Sequence, residues 1–212
     1  MKKLATVALV TVLAGCATHA NITMPTVTNV YHQAFDNKTF SYDVMYSQPK
    51  PGIFSDGEQL PLAPLAEAQL SVASTKTLRA LPNYIFAQLP ASAKRGEVGN
   101  SDYTVHVELT ANDKLGPVYA DYESLKNLGK SMITIGLGAK EYDLVADFKV
   151  VYKLINNNKT IYHNEYIVNE KVDHELGLGE GFGLLDEFTG QLFEKHLMLT
   201  LNDFFTQAAK KI

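Results

Sequence analysis

The amino-acid sequence predicts an α+β domain: a two-layer sandwich whose mostly antiparallel sheet of about four strands carries, on one face, a long C-terminal helix and one helix from the N-terminal half. Three observations carry this expectation. Tyr103, Val105, Val107 and Leu109 alternate with Thr104, His106, Glu108 and Thr110, the period of a half-buried strand. Two further alternating runs, 142–155 and 160–172, flank Asn156-Asn157-Asn158-Lys159, where asparagine tolerates the positive φ of a tight turn. From Leu184 to Ala209 glycine occurs only at Gly190 and proline not at all, and Leu185, Phe188, Leu192 and Leu199 recur at helical spacing.

The remaining elements follow in chain order. Phe40, Tyr42, Val44 and Tyr46 alternate with Ser41, Asp43 and Met45, so 39–46 is a strand. Pro49, Pro51 and Ser55-Asp56-Gly57 mark a loop. Pro64 opens an amphipathic stretch with Leu65, Ala68 and Val72 on one face, predicting a helix from there to about Ala80, stopped before Pro82. Residues 83–89 fit a strand or a second short helix. The resulting order is strand, helix, three strands, helix.

Composition bounds the function. The 212 residues are 46% apolar and 20% charged with one cysteine, which excludes disordered and disulfide-dense classes. A formal charge of −4 lacks the cation excess that nucleic-acid binding requires. Lys2 and Lys3, the apolar run Leu4 to Leu13 and the small residues before Cys16 have the layout of a secretory signal, with an apolar core too short to span a bilayer.

Leu13-Ala14-Gly15-Cys16 resembles a bacterial lipobox. The resemblance implies cleavage before Cys16, a diacylglycerol on its sulfur, and a further acyl chain such as palmitate on its new amino group. With Ala17 rather than aspartate next, it also implies the outer membrane of an enteric-type envelope, facing the periplasm. Several acyl chains would anchor the protein stably. The implied divisions are a signal peptide 1–15, a lipidated Cys16 with a tether to residue 30, and a single domain 31–212 with an insertion at 113–141. Loss of Lys2 and Lys3 leaves 17 − 23 = −6 formal charges on the mature chain.

Ile133-Thr134-Ile135-Gly136-Leu137-Gly138 followed by Tyr142 to Val172 is similar to small periplasmic lipoproteins: the curli-secretion family, the activators of peptidoglycan synthases and an uncharacterised enterobacterial family. That resemblance implies a fold like the N-terminal domain of the translocation protein TolB. A curli-type pore would need two long membrane-entering excursions, and 173–183 is too short for two spanning strands.

Catalytic signatures fail on spacing. Gly129-Lys130-Ser131 has Ser124 where a phosphate loop needs glycine. The glycines at 177–183 place Phe182 where a dinucleotide fingerprint needs a small residue. Asp173, His174 and Glu175 are consecutive, so on a strand they diverge; His106 and His163 lie on separate strands, and His196 is expected as a polar flank of the last helix. The expectation is therefore no enzyme, no metal and no cofactor beyond the covalent lipid.

What remains is binding. The insertion carries Tyr119, Tyr122, Leu128, Met132, Ile133, Ile135 and Leu137, residues that either cover the sheet or form a partner surface. The leading expectation is an accessory or assembly factor of an envelope machine that binds an envelope protein of unknown identity. Two alternatives stay open. One is a homo-oligomeric subunit of an export or surface-structure complex; the other is a glycan- or lipid-binding lipoprotein using Tyr42, Tyr46, Tyr103, Tyr152 and Tyr166 as an aromatic platform.

Overall fold

A computed structural model describes residues 17–52, 57–122, 139–177 and 179–212. The signal segment with Cys16, the lysine-serine pair at 130–131 and residues 123–138 lie outside the described residues.

The chain is α+β with one mixed sheet. Its strands are β1 (Thr39–Ser47), β2 (Ala63–Pro64), β3 (Lys94–Arg95), β4 (Tyr103–Ala111), β5 (Val118–Tyr122), β6 (Lys140–Asn156) and β7 (Lys159–Leu176), and its helices are α1 (Val72–Ala87) and α2 (Gly183–Ala209). The four long strands are those read from alternation; β2, β3 and β5 make seven where about four were expected. Two-residue strands have too few positions to display a period, which is why they escape a pattern search.

β4 lies between β1 and β6, and β7 pairs with the other edge of β6 over almost its whole length. Most neighbours are antiparallel, as expected, but β1 runs parallel to both β3 and β4, which makes the sheet mixed. Parallel neighbours require a crossover connection, and α1 supplies it. The β6–β7 turn is as the asparagines suggest: Asn157 and Asn158 take φ of 49° and 59°, the left-handed pair of a two-residue hairpin.

α1 starts later and ends later than its pattern suggests. Leu65–Glu67 forms only a single tight turn, and the helix begins at Val72, where the Ser71 hydroxyl accepts the Ser74 amide. It continues through Pro82 because Leu78, Leu81 and Ile85, on both sides of the proline, are fully buried. Proline leaves the Leu78 carbonyl without its helical donor. Pro82→Ala should restore that bond and raise stability by about 1–2 kcal/mol, net of the freedom regained by the unfolded chain. A higher denaturation midpoint in urea is the expected readout, and a lower one would mean that the proline ring's own contacts outweigh the missing bond.

α2 lies across the sheet. Phe193 meets Phe148 edge-on at 5.1 Å and Phe204 meets Tyr152 at 5.3 Å, while the Tyr152 hydroxyl, fully buried, hydrogen-bonds with Thr200 at 3.0 Å. Gly190, the one break in the helical pattern, marks the crossing with α1: a Cβ there would come within 3.1 Å of the Ala73 carbonyl. The alternate positions of β4 and β6 that face the helices are buried, from Val105 to Ala111 and from Tyr142 to Leu154. The intervening positions form the sheet's other, open face.

Residues 17–30, the described part of the expected tether, are fastened along the domain as a strap. Thr18 bonds the end of β7 twice, its carbonyl accepting the Glu175 amide at 2.9 Å and its amide donating to the Glu175 carboxylate at 2.8 Å. Asn202 of α2 accepts from the Thr28 amide and donates to the Thr26 carbonyl, and the Val30 amide donates to the Gln88 carbonyl. A polar, uncharged sequence suits solvent, but it equally satisfies backbone groups along a helix flank.

Candidate functional site

Of the residues expected to bind a partner, Tyr119 and Tyr122 are described; Leu128, Met132, Ile133, Ile135 and Leu137 lie outside the described residues. The insertion is not wholly irregular, since its first part is β5, which continues the line of β4 along the same edge of β6. Pairing opposite Val145 puts Tyr119 on the open face, whereas Tyr122 pairs with Tyr142 on the helix side, ring centroids 5.3 Å apart. The two tyrosines therefore belong to opposite faces of one strand. Burial, together with Asp113, Asp147 and Asp121, pushes the Tyr119 phenol up.

One end of the sheet gathers several features. Lys140 pairs with Leu176 and Tyr142 with both His174 and Tyr122, so residues 122 and 139 flank the excursion 123–138 at the end where β7 finishes. The strap arrives there too, with Ala17 beside Gly177, where a glycine Cβ would lie 3.2 Å from the alanine's. His19 stacks on His174 at 5.3 Å with rings 13° apart, and Phe188 of α2 closes on His174 at 4.6 Å. His174 is buried, and its Nδ1 accepts the Ala20 amide at 3.2 Å. Burial, with His19 as a second cause, holds its pKa below the usual imidazole value. Glu180 accepts the Gly177 amide and bonds His19, contacts that keep its carboxyl below the carboxylate norm. Asp173 and Glu175 project to the face opposite His174, as strand alternation requires.

The open face is polar. Asp43, His106, Lys153 and His163 form one cross-strand row over β1, β4, β6 and β7. His106 is engaged at both nitrogens, by Asp43 at 2.9 Å and Glu108 at 3.0 Å, and Lys153 also bonds Glu108. Burial raises the Glu108 carboxyl, but its bonds to Lys153 and His106 outweigh that and lower it. His106 and His163 share a row yet do not converge, because Lys153 stands between them. Among the described residues no cluster of three histidine or acidic side chains is arranged to hold a metal ion. His196 is more enclosed than a polar flank: its Nε2 lies 2.6 Å from Glu170, and burial lowers its pKa although Glu170 opposes the shift.

Two concavities flank β1. A groove of about 630 Å³ runs between β1 and α1, lined by Tyr42, Val44, Leu65, Leu70, Leu78 and Arg79. A second of about 460 Å³ holds Tyr46, Gln48 and Leu60. Tyr103 and Tyr152 are buried in the core, so these strand tyrosines do not form one aromatic platform. The groove had no sequence signal, because it arises where β2 and β3 stop short of each other along β1.

No family model and no curated protein matches the chain. Among solved structures it is similar to protein XCC0632 from Xanthomonas campestris, described with the family model DUF330: identity is 12%, the match covers 90% of this chain and 94% of that one, and the TM-score is 0.41.

Proposed function

We propose that this protein is an outer-membrane lipoprotein, anchored through Cys16 and facing the periplasm, that serves a cell-envelope machine by binding a protein partner and not by catalysis. The observation that carries the reading is the sequence Lys2-Lys3, Leu4 to Leu13, Leu-Ala-Gly-Cys16, which ends one residue before Ala17 takes its place at the sheet end. Supporting it is the company at that end. Residue 17, residues 122 and 139 that border the excursion, and the exposed Phe182 share one end of the domain, so a chain anchored through Cys16 would hold that end toward the bilayer. In the same reading the helices cover one layer of the sheet and leave the polar face free for solvent or partner.

The test has two arms. Cells expressing the wild type should yield a mature chain whose mass carries three acyl chains and which fractionates with outer membrane, while Cys16→Ser should accumulate unacylated with its leader uncut. Absence of acylation on the wild type overturns the anchor. Replacing 123–138 with a short Gly/Ser linker, which spares β5 and β6, should leave the melting temperature within a few degrees and remove a crosslinked envelope partner. Retention of that partner moves the binding surface elsewhere.

A further inference from the structure

β1 has a break in its outer edge. Along that edge the Lys94 amide donates to the Lys38 carbonyl and the Gly96 amide to the Phe40 carbonyl, both at 2.8 Å; farther on, the Leu60 amide donates to the Gln48 carbonyl at 3.0 Å. Strand period 2 then directs the N–H and C=O groups of Tyr42 and Val44 to the same edge. β3 pairs only with Thr39 and Phe40, and β2 only with Met45 and Tyr46. Among the described residues no strand pairs with Ser41–Val44 on this side. The Tyr42 and Val44 amides and the Tyr42 carbonyl thus open into the groove against α1, where Tyr42 is partly exposed, while the Val44 carbonyl faces the Leu65 amide, the bond that pairing of Met45 with Pro64 needs because proline has no N–H. Natural sheets usually cover or charge such an edge; here both covering strands end short of it.

We propose that this gap is a docking site for an extended segment of a protein partner, which adds as a short strand to β1 between β2 and β3. Strand addition draws affinity from main-chain hydrogen bonds and specificity from side-chain pockets. The four-residue gap spans about 13 Å, room for about four partner residues. Every second side chain of that segment would enter the groove over Leu65, Leu70 and Leu78, so those positions are apolar. Arg79, exposed at the groove wall, has no carboxylate partner among the described residues, and it selects an aspartate, glutamate or terminal carboxylate on the incoming segment. The occupant is a flexible segment and not the sheet edge of a second copy: β2, the turn Leu65–Glu67 and β3 wall the gap at both ends, too closely for a folded edge to enter. The site shares no residue with 123–138 and stands whether or not Cys16 is acylated.

The experiment pans a phage library of random nine-residue peptides against the full mature chain in detergent. Enriched sequences are synthesised with a fluorescent label and titrated by anisotropy. The expected peptides alternate apolar residues and carry an acidic one. Arg79→Glu should weaken them about tenfold, as expected for loss of one charge-assisted bond. Tyr42→Pro, which removes an edge-facing N–H that an edge strand can spare for folding, should weaken them comparably. Hydrogen exchange should show protection of the Tyr42 and Val44 amides only with peptide bound. The proposal is overturned by no enrichment over bare support, or by peptides that bind both variants like wild type. It is equally overturned if both amides are already protected without peptide, with a dimer or with this chain's own undescribed segments as the occupant. Arg79→Glu lies on an exposed helix surface and keeps the test valid should Tyr42→Pro fold poorly.

Discussion

Phe204→Ala should lower the unfolding free energy by about 3–5 kcal/mol, the cost of a large buried ring and the cavity it leaves. Phe204 is fully buried, and its ring sits 5.3 Å from Tyr152, 5.4 Å from Tyr162 and 5.3 Å from Phe205. It therefore joins the middle strand β6, the edge strand β7 and the helix itself at one point. For a chain of this size the melting temperature should fall by about 10 °C. The control is Ile167→Ala on β7, whose side chain is 74% exposed on the open face and should change stability by less than about 0.5 kcal/mol. A loss below about 1 kcal/mol for Phe204 would show that α2 is not seated on the sheet as described.

Acid should destabilise the fold in two stages. His174 and His196 both have native pKa values held below the ordinary 6.5, each chiefly by burial. An imidazole of depressed pKa binds fewer protons folded than unfolded, so its contribution is whole above pH 6.5 and is lost as pH falls from there through the native value. Glu108 and Glu170 are depressed from 4.5 by their lysine and histidine partners, and Asp102 from 3.8 by Thr39. Their contributions disappear only at lower pH, below those ordinary values. Thermal melts between pH 8 and 3 should show a first decline starting near 6.5 and a steeper one below 4.5. His174→Asn, which keeps an acceptor for the Ala20 amide but cannot charge, should flatten the first decline. A melting temperature constant from pH 7 to 5 in wild type would contradict a neutral, amide-accepting His174.

The elements legible in the sequence are those long enough to show a period or marked by a residue with one conformational meaning. β4, the β6–β7 hairpin and α2 are of this kind, and Asn157 and Asn158 mark the turn through their tolerance of positive φ. The pattern misplaces the start of α1 because Leu65, Ala68 and Val72 satisfy helical spacing while Ser71 supplies the actual cap. It misplaces the end because Pro82 is overridden by packing at Leu81 and Ile85. Parallel pairing of β1 with β4 leaves no trace in either strand's alternation. Tyr119 and Tyr122, both candidate contacts by residue type, are separated by the same period-2 rule that makes strands recognisable. The β1 groove and the fastening of residues 17–30 depend on which backbone groups lack neighbours, a property of assembly that no local window contains.

The strap of residues 17–30 has a mechanical consequence. A force applied at residue 17 acts first on the bonds between Thr18 and Glu175, then on those with His174, Asn202 and Gln88. These few contacts would open one after another, like a seam, before any strand of the sheet carried tension. Fourteen peeled residues would pay out about 45–50 Å of chain. A domain fixed by its N-terminus to a surface would thus hold a reserve of slack: close to that surface at rest, and able to follow a receding partner while its core stays intact.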